Sequence, residues 1–155
     1  MQKAMFGAGC FWGVQTTFDR VPGVVETYVG YAGGHLDEPT YRDVCTGRTG
    51  HTEVLEVSFD PERVSYEKLL DVFWECHDPT TLNRQGPDVG TQYRSAIYYY
   101  TPEQEQTAAA SKARQQESGR HAAPVVTEIT EAGPFWAAED YHQKYLEKRG
   151  LSHCH

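Results

Sequence analysis

The chain contains no run of about 18 apolar residues, so nothing in it reads as a membrane-spanning helix. No basic-then-apolar leader follows Met1. Cys-x-x-Cys is missing, which removes both the thioredoxin-like redox motif and the common zinc spacings. Four cysteines in 155 residues are too few for a disulfide-rich secreted scaffold. Positive charge is also scarce: 14 Lys and Arg face 22 Asp and Glu, a net charge of −8 with His neutral. That is the wrong sign for a protein that tracks a nucleic-acid backbone. There is no internal repeat, no low-complexity tract and no Pro/Gly/Ser linker long enough to divide the chain. Together these absences lead us to expect one domain over residues 1–155 in the reducing cytoplasm, engaging neither nucleic acid nor membrane.

What is present suffices for a folded core without a metal or disulfide staple. Hydrophobic residues make up 39% of the chain and aromatics 12%, with ten Tyr, which argues against disorder. A short apolar stretch at 5–8 enters a Gly-rich turn at 7–9. Phe11, Val14 and Phe18 then share one helical face over 11–21, closed by Pro22-Gly23. Residues 24–31 are β-branched and aromatic, and 52–59 alternate apart from Val54-Leu55, so both read as strands. Ser65 caps a helix to about 74, and 95–100 reads as a strand. Thr101-Pro102-Glu103-Gln104 is a capping box opening a helix that Gly119 closes. A strand over 125–130 and a last helix over 135–148 complete the order β-α-β-β-α-β-α-β-α. This pattern predicts an α+β fold, an antiparallel or mixed sheet with packed helices, as a variant of the ferredoxin-like plait.

Two stretches, 32–50 and 77–92, read as unusually long loops rich in titratable groups, where a functional pocket is expected. The most informative segment is Gly7-Ala8-Gly9-Cys10-Phe11-Trp12-Gly13. A dinucleotide-binding fingerprint would need glycine where Trp12 stands, so that reading fails. The segment instead places a cysteine at a strand-to-helix turn. There, unpaired backbone N–H groups and the helix dipole stabilise a thiolate. The residues alone leave two alternatives open: a reactive thiol, or a small cysteine buried at a turn.

Gly9-Cys10-Phe11-Trp12-Gly13, Gly30-Tyr31-Ala32-Gly33-Gly34, Pro39-Thr40-Tyr41, Val44-Cys45-Thr46-Gly47 and Gly50-His51-Thr52-Glu53-Val54 occur in that order. They are followed by His77-Asp78-Pro79-Thr80, Gln85-Gly86, Asp88-Val89-Gly90-Thr91-Gln92-Tyr93-Arg94-Ser95 and Asp140-Tyr141-His142-Gln143. Across essentially its whole length the chain resembles the peptide methionine sulfoxide reductase A family, which returns one epimer of methionine sulfoxide to methionine. The resemblance implies that Cys10 attacks the sulfoxide sulfur and that Glu53 donates a proton to the departing oxygen. It makes Tyr41 and Tyr93 hydroxyl donors to that oxygen, and Asp88 a further polar residue of the pocket. Phe11 and Trp12 become an apolar wall for the S-methyl group. A sulfenic acid left on Cys10 would condense with Cys154 in a mobile tail from about residue 150. Thioredoxin would reduce the resulting disulfide. The same resemblance implies S-epimer specificity, free or protein-bound substrate, a monomer, and neither cofactor nor metal.

From the residues alone, Glu53 could equally be an outward-facing strand glutamate, since alternation with Glu56 does not exclude it. His51, His77 and His142 admit a Cys–His hydrolase reading, although each sits where a hydrogen-bonded structural histidine is the plainer expectation. The tail His153-Cys154-His155 leaves room for a non-enzymatic thiol or metal-binding module. Cys45 is a weaker candidate than Cys154 for the resolving thiol, and Cys76 has no assigned role.

Overall fold

The computed structural model describes residues 1–149. The expected tail from about residue 150, Cys154 included, lies outside the described residues. In chain order the elements are β1 (Gln2–Ala8), α1 (Phe11–Asp19), β2 (Val24–Ala32), α2 (Tyr41–Cys45), β3 (Thr52–Phe59) and α3 (Tyr66–Glu75). Next come a two-stranded ribbon of β4 (Arg84–Gln85) and β5 (Asp88–Val89), a 3-10 turn (Thr91–Tyr93), β6 (Ser95–Tyr99) and α4 (Pro102–Glu117). The described chain finishes with β7 (Glu128–Glu131), β8 (Trp136–Ala137), a second 3-10 turn (Asp140–His142) and α5 (Tyr145–Lys148).

The main sheet has the order β7-β6-β1-β3-β2-β8. Its inner strands β6-β1-β3-β2 are mutually antiparallel, which with α1 and α3 is the ferredoxin-like plait expected from the pattern. The plait is extended on one side by β7, parallel to β6, and on the other by β8, antiparallel to β2. Alternation along the strands sets two faces. Phe6, Val29, Leu55, Val57 and Ile97 point to the face covered by α1 and α3, while Met5, Val54, Ala96 and Tyr98 line the other. On the helix side the Phe6 ring sits between Phe18 (5.3 Å) and Phe73 (5.2 Å), tying β1 to both helices at once. Truncating so enclosed an aromatic costs about 3–5 kcal/mol.

Caps follow the sequence cues. Ser65 Oγ accepts from Lys68 N–H at the start of α3, and Thr101 Oγ1 accepts from Gln104 N–H at the start of α4. The second half of the expected capping box is used differently. The Gln104 carboxamide accepts from Tyr100 N–H and donates to the Lys3 carbonyl, joining α4 to the edge of β1.

Three expectations need correction. The strand expected over 125–130 is confined to Glu128–Glu131, because Val125 N–H goes to Gln116 Oε1 and Val126 N–H to the Pro79 carbonyl. The helix expected over 135–148 is broken into β8, a 3-10 turn and the four-residue α5, interrupted by Lys144 at φ 58°. Sheet and helix contacts capture its backbone: Ala138 N–H donates to the Val29 carbonyl and Lys144 N–H to Gln15 Oε1. The two long loops are not structureless, since one holds α2 and the other holds the ribbon and a 3-10 turn.

Candidate active site

β1 ends beside α1, and the turn between them needs Gly9, whose φ of +91° favours glycine. Cys10 follows as the N-cap of α1, half-buried, with its backbone at φ −56°, ψ 119°. Its neighbour Phe11 donates the first helical N–H to Glu53 Oε1 at 3.3 Å. Glu53 stands at the start of β3 in phase with Leu55, Val57 and Phe59, so alternation directs it to the helix-covered face. Only 1% of it is exposed. That settles the ambiguity left by the sequence: Glu53 is the inward carboxyl and Glu56 belongs to the opposite face.

Tyr31 pairs with Glu53 across β2 and β3 and is itself fully buried. Its hydroxyl donates to Glu139 Oε1 (3.0 Å), while Glu139 Oε2 accepts from Tyr41 N–H (3.1 Å). One carboxylate thereby fixes the first residue of α2 over the site. These hydrogen bonds hold the Glu139 carboxyl below its ordinary pKa, against the opposing effect of desolvation. Thr40 and Asp43 close a capping box on the same short helix.

Tyr41, in the first long loop, and Tyr93, just past the end of the second, lie near one another. Burial first, and then nearby acidic groups, push both phenols well above their usual range, so both remain protonated hydroxyls. Glu53 contributes at both positions, and Tyr93 also feels Asp88 and Cys10. Asp88 is half-buried on β5, within the ribbon that leads to Tyr93.

The aromatic wall is larger than Phe11 and Trp12. His142 is fully buried, with ring centroids 4.5 Å from Tyr41, 5.3 Å from Phe11 and 5.7 Å from Trp12. Its Nδ1 accepts from Trp12 Nε1–H at 2.9 Å, and its Nε2 is buried without a hydrogen-bond partner among the described residues. Desolvation lowers its pKa, keeping the ring neutral. On the outer side Trp12 stacks on Tyr145 (3.7 Å between centroids, 10° between planes), and the Arg149 guanidinium covers Tyr145. Sequence reasoning left Glu139 and Tyr31 without roles, and the plainer expectation for His142, a hydrogen-bonded structural histidine, agrees with its bond to Trp12. The cue for Tyr31 and His142 was that Gly30-Tyr31 and Asp140-Tyr141-His142-Gln143 fall within motif blocks; Glu139 had none.

The two other histidines singled out in the sequence, His51 and His77, are committed elsewhere. His51 accepts from Gly34 N–H through Nδ1 and bonds the Leu36 carbonyl through Nε2, holding the loop before α2. His77 bonds the Phe73 carbonyl and Ser95 Oγ, and burial lowers its pKa to about 4. Cys76 donates to the Phe73 carbonyl, and burial raises its thiol to about 12, which removes its nucleophilic form near neutrality. Cys45, at the end of α2, is exposed; its thiol lies beside the Tyr41 hydroxyl and is shifted upward, first by desolvation. Among the described residues no cluster of three or more His, Cys, Asp or Glu side chains could hold a metal ion. None of their helices is long and apolar enough to cross a membrane. A cavity of about 680 Å³ lies at the end of α3, between 74–80 and 120–123, and takes in none of the residues around Cys10.

The fold and site define a thiol-and-acid centre on an extended plait: a helix-start cysteine, an enclosed carboxyl and two phenols behind an aromatic wall. The model of the peptide methionine sulfoxide reductase family matches residues 2–155, and the chain belongs to that family. A peptide methionine sulfoxide reductase MsrA of Geobacter sulfurreducens is 62% identical over 154 residues, covering 99% of this chain and 95% of that protein. Methionine sulfoxide reductase A of Corynebacterium diphtheriae superposes with a TM-score of 0.93 at 44% identity, covering 99% of this chain and 77% of that one. Mxr1 of Saccharomyces cerevisiae in its reduced form gives 0.92 at 34% identity, covering 99% and 88%. Mxr1 has also been solved in complex with Trx2; that form shares the fold, with a TM-score of 0.66 at 23% identity over 93% of this chain and 84% of that one. The activity of the chain is that of a peptide-methionine (S)-S-oxide reductase.

Proposed function

We propose that Cys10 is the nucleophile, Glu53 the proton donor, and Tyr41 and Tyr93 the hydroxyls that orient the sulfoxide oxygen. The observation that carries this reading is the Phe11 N–H to Glu53 bond of 3.3 Å. It ties an enclosed carboxyl to the residue next to the helix-start thiol. The Cys10 thiolate attacks the electrophilic sulfur as Glu53 delivers a proton to the oxygen. Transfer of that oxygen leaves methionine and a sulfenic acid on Cys10. Neutral phenols suit the task, because they hydrogen-bond the polarised S–O group without adding charge. Phe11 and Trp12 receive the methyl group, and Asp88 supports the polar side of the pocket.

Condensation of the Cys10 sulfenic acid with the Cys154 thiol forms a disulfide and releases water. A dithiol of the thioredoxin type then reduces that disulfide and is itself oxidised. The family resemblance supports thioredoxin, and the Mxr1 complex shows such a partner for a relative. The reducing cytoplasm, where such dithiols are maintained, is the setting this cycle needs. The reading takes one copy of the chain, acting as a monomer, to supply every one of these residues. Both free and protein-bound methionine sulfoxide are substrates in this reading.

The test is stereochemical. Inverting the sulfur would swap oxygen and methyl, leaving enclosed donors unpaired at about 1–3 kcal/mol each. Exhaustive reaction of racemic methionine sulfoxide with dithiothreitol should leave only the R epimer on chiral chromatography. Equal consumption of both epimers would refute this pocket.

A further inference from the structure

We propose that Gln85 is a positioning residue for the thiol reaction. Its carboxamide clasps the 77–79 segment while its stem supports the Gly9 turn, setting where Cys10 stands relative to Asp88 and Tyr93. The inference rests on Cys10 as the nucleophile and concerns what holds it in place.

Gln85 is a polar side chain only 6% exposed, and both ends of its amide are satisfied by one residue. Its Oε1 accepts from Asp78 N–H and its Nε2 donates to the Asp78 carbonyl, each at 2.8 Å. The side chain thus stands in for a neighbouring strand across a segment that has none. Its aliphatic part lies against the catalytic turn: a Cβ placed on Gly9 would fall 2.7 Å from Gln85 Cγ and 2.8 Å from its Cβ. Contact that close lets a shift of Gln85 pass directly to the residue before Cys10.

The other direction of coupling runs through the ribbon. Gln85 pairs with Asp88 across β4 and β5, Gly90 N–H closes on the Asn83 carbonyl, and Tyr93 N–H bonds the Gly90 carbonyl. Gln85 is therefore where the nucleophile's turn meets the strand pair that carries Asp88 and leads to Tyr93. The clasp needs one acceptor and one donor without a charge. Leucine supplies neither, an ionised glutamate supplies acceptors only, and a protonated glutamate supplies both.

The experiment measures formation of the first equivalent of methionine by the reduced full chain, without added reductant, from pH 8 to pH 5.5. We expect Gln85→Leu to be at least tenfold slower than the unsubstituted chain at every pH, with the half-saturating substrate concentration changed less than threefold. Gln85→Glu should be equally slow at pH 8. Its rate relative to the unsubstituted chain should then rise at least fivefold toward pH 5.5 as the carboxyl takes up its proton. The pH profile of Cys10 alkylation by iodoacetamide, followed by mass mapping, should shift upward in Gln85→Leu and recover in the acid form of Gln85→Glu. A purely structural role would move thermal stability without this acid rescue.

A Gln85→Leu rate within twofold of the unsubstituted chain overturns the proposal, as does a flat relative rate for a slow Gln85→Glu. Failure of Gln85→Glu to fold at pH 5.5 overturns it as well, because there the protonated acid restores both bonds. Cys10→Ser in the same assay separates the two layers. Methionine formed by that variant would overturn the nucleophile assignment, while the Gln85→Leu alkylation profile still reports on the clasp.

Discussion

Glu53→Gln is the substitution that isolates proton donation from everything else this side chain does. Glutamine keeps the shape of the residue and an oxygen able to accept the Phe11 N–H now bonded at 3.3 Å. It also retains a hydrogen-bond donor, but one whose proton does not leave. The packing of β3 against α1 is therefore preserved, and unfolding free energy should change by less than about 1 kcal/mol, the size of one ordinary hydrogen bond. The chemical step should slow by about 10²–10⁴, the usual contribution of a positioned general acid. At 1.36 kcal/mol per tenfold, that is about 2.7–5.4 kcal/mol of barrier. Rapid-quench measurement of the first equivalent of methionine reads this step before the disulfide and the reductant enter. Urea unfolding of the same preparation checks that the fold is intact. A first-equivalent rate within twofold of the unsubstituted chain, in a protein of unchanged stability, would show that Glu53 donates no proton. The proton would then have to come from Tyr41, Tyr93 or solvent.

Other expectations follow from named contacts. Cys10→Ser should form no methionine, because an unactivated hydroxyl is a poor nucleophile. Cys154→Ser should form one equivalent and stall with thioredoxin, its Cys10 trappable by a sulfenic-acid reagent. Full thioredoxin-supported turnover by Cys154→Ser would transfer the resolving role, and the buried thiol of Cys76 makes Cys45 the successor. His77 titrates at about 4 in the fold against 6.5 in the open chain, so the native state favours the neutral ring. The stability this confers is complete above pH 6.5 and is lost as pH falls toward 4, roughly 3 kcal/mol in all. Urea titrations of the unsubstituted chain and His77→Gln should diverge over that window, and parallel curves would contradict the assignment. A Cβ at Gly30 would meet the Trp136 carbonyl oxygen at 2.4 Å and the Phe135 ring at 2.6 Å, so Gly30→Ala must displace β8. We expect a loss of about 1–3 kcal/mol in urea unfolding; a change below 0.5 kcal/mol, less than about one ordinary hydrogen bond, would mean that β8 moves aside without strain.

Local signals account for what was legible in the sequence. Ser65 and Thr101 cap the helices they announce, α1 stops at Asp19 a little before Pro22-Gly23, and alternation broken only at Val54-Leu55 marks β3. The plait follows because its strands and helices are consecutive and each carries its own period. The segment from Phe135 to Lys148 misled because its apolar residues recur near helical spacing. Gln143 shows why spacing lost: its side chain accepts from Val29 N–H and donates to the carbonyls of Val29 and Ala138, stitching the segment to β2. Contacts across 114 positions leave no trace in a local window. Cys10 was legible as a helix-start thiol for the opposite reason, since glycine, cysteine and the helical face are adjacent in sequence. Glu53, Tyr41 and Tyr93 needed the family motifs, for no local property separates them from the other glutamates and tyrosines. Glu139 was invisible and Gln85 showed only as part of a motif block without a role, because their value lies in backbone groups they reach through folding.

The place of β1 in the sheet has a consequence for the newborn chain. Residues 2–8 leave the ribosome before the strands they pair with, β3 and β6. At about 5–20 residues per second, roughly 5–20 s of synthesis separate β1 from its second neighbour. Through that interval the cysteine has neither its helix-start geometry on a closed sheet nor the phenol that follows the ribbon. His142 and the aromatic wall arrive later still. A chain arrested at any earlier point therefore carries Cys10 without the groups proposed to act with it. Under the proposed roles, the surroundings of the thiol are complete only once the chain has been made through His142.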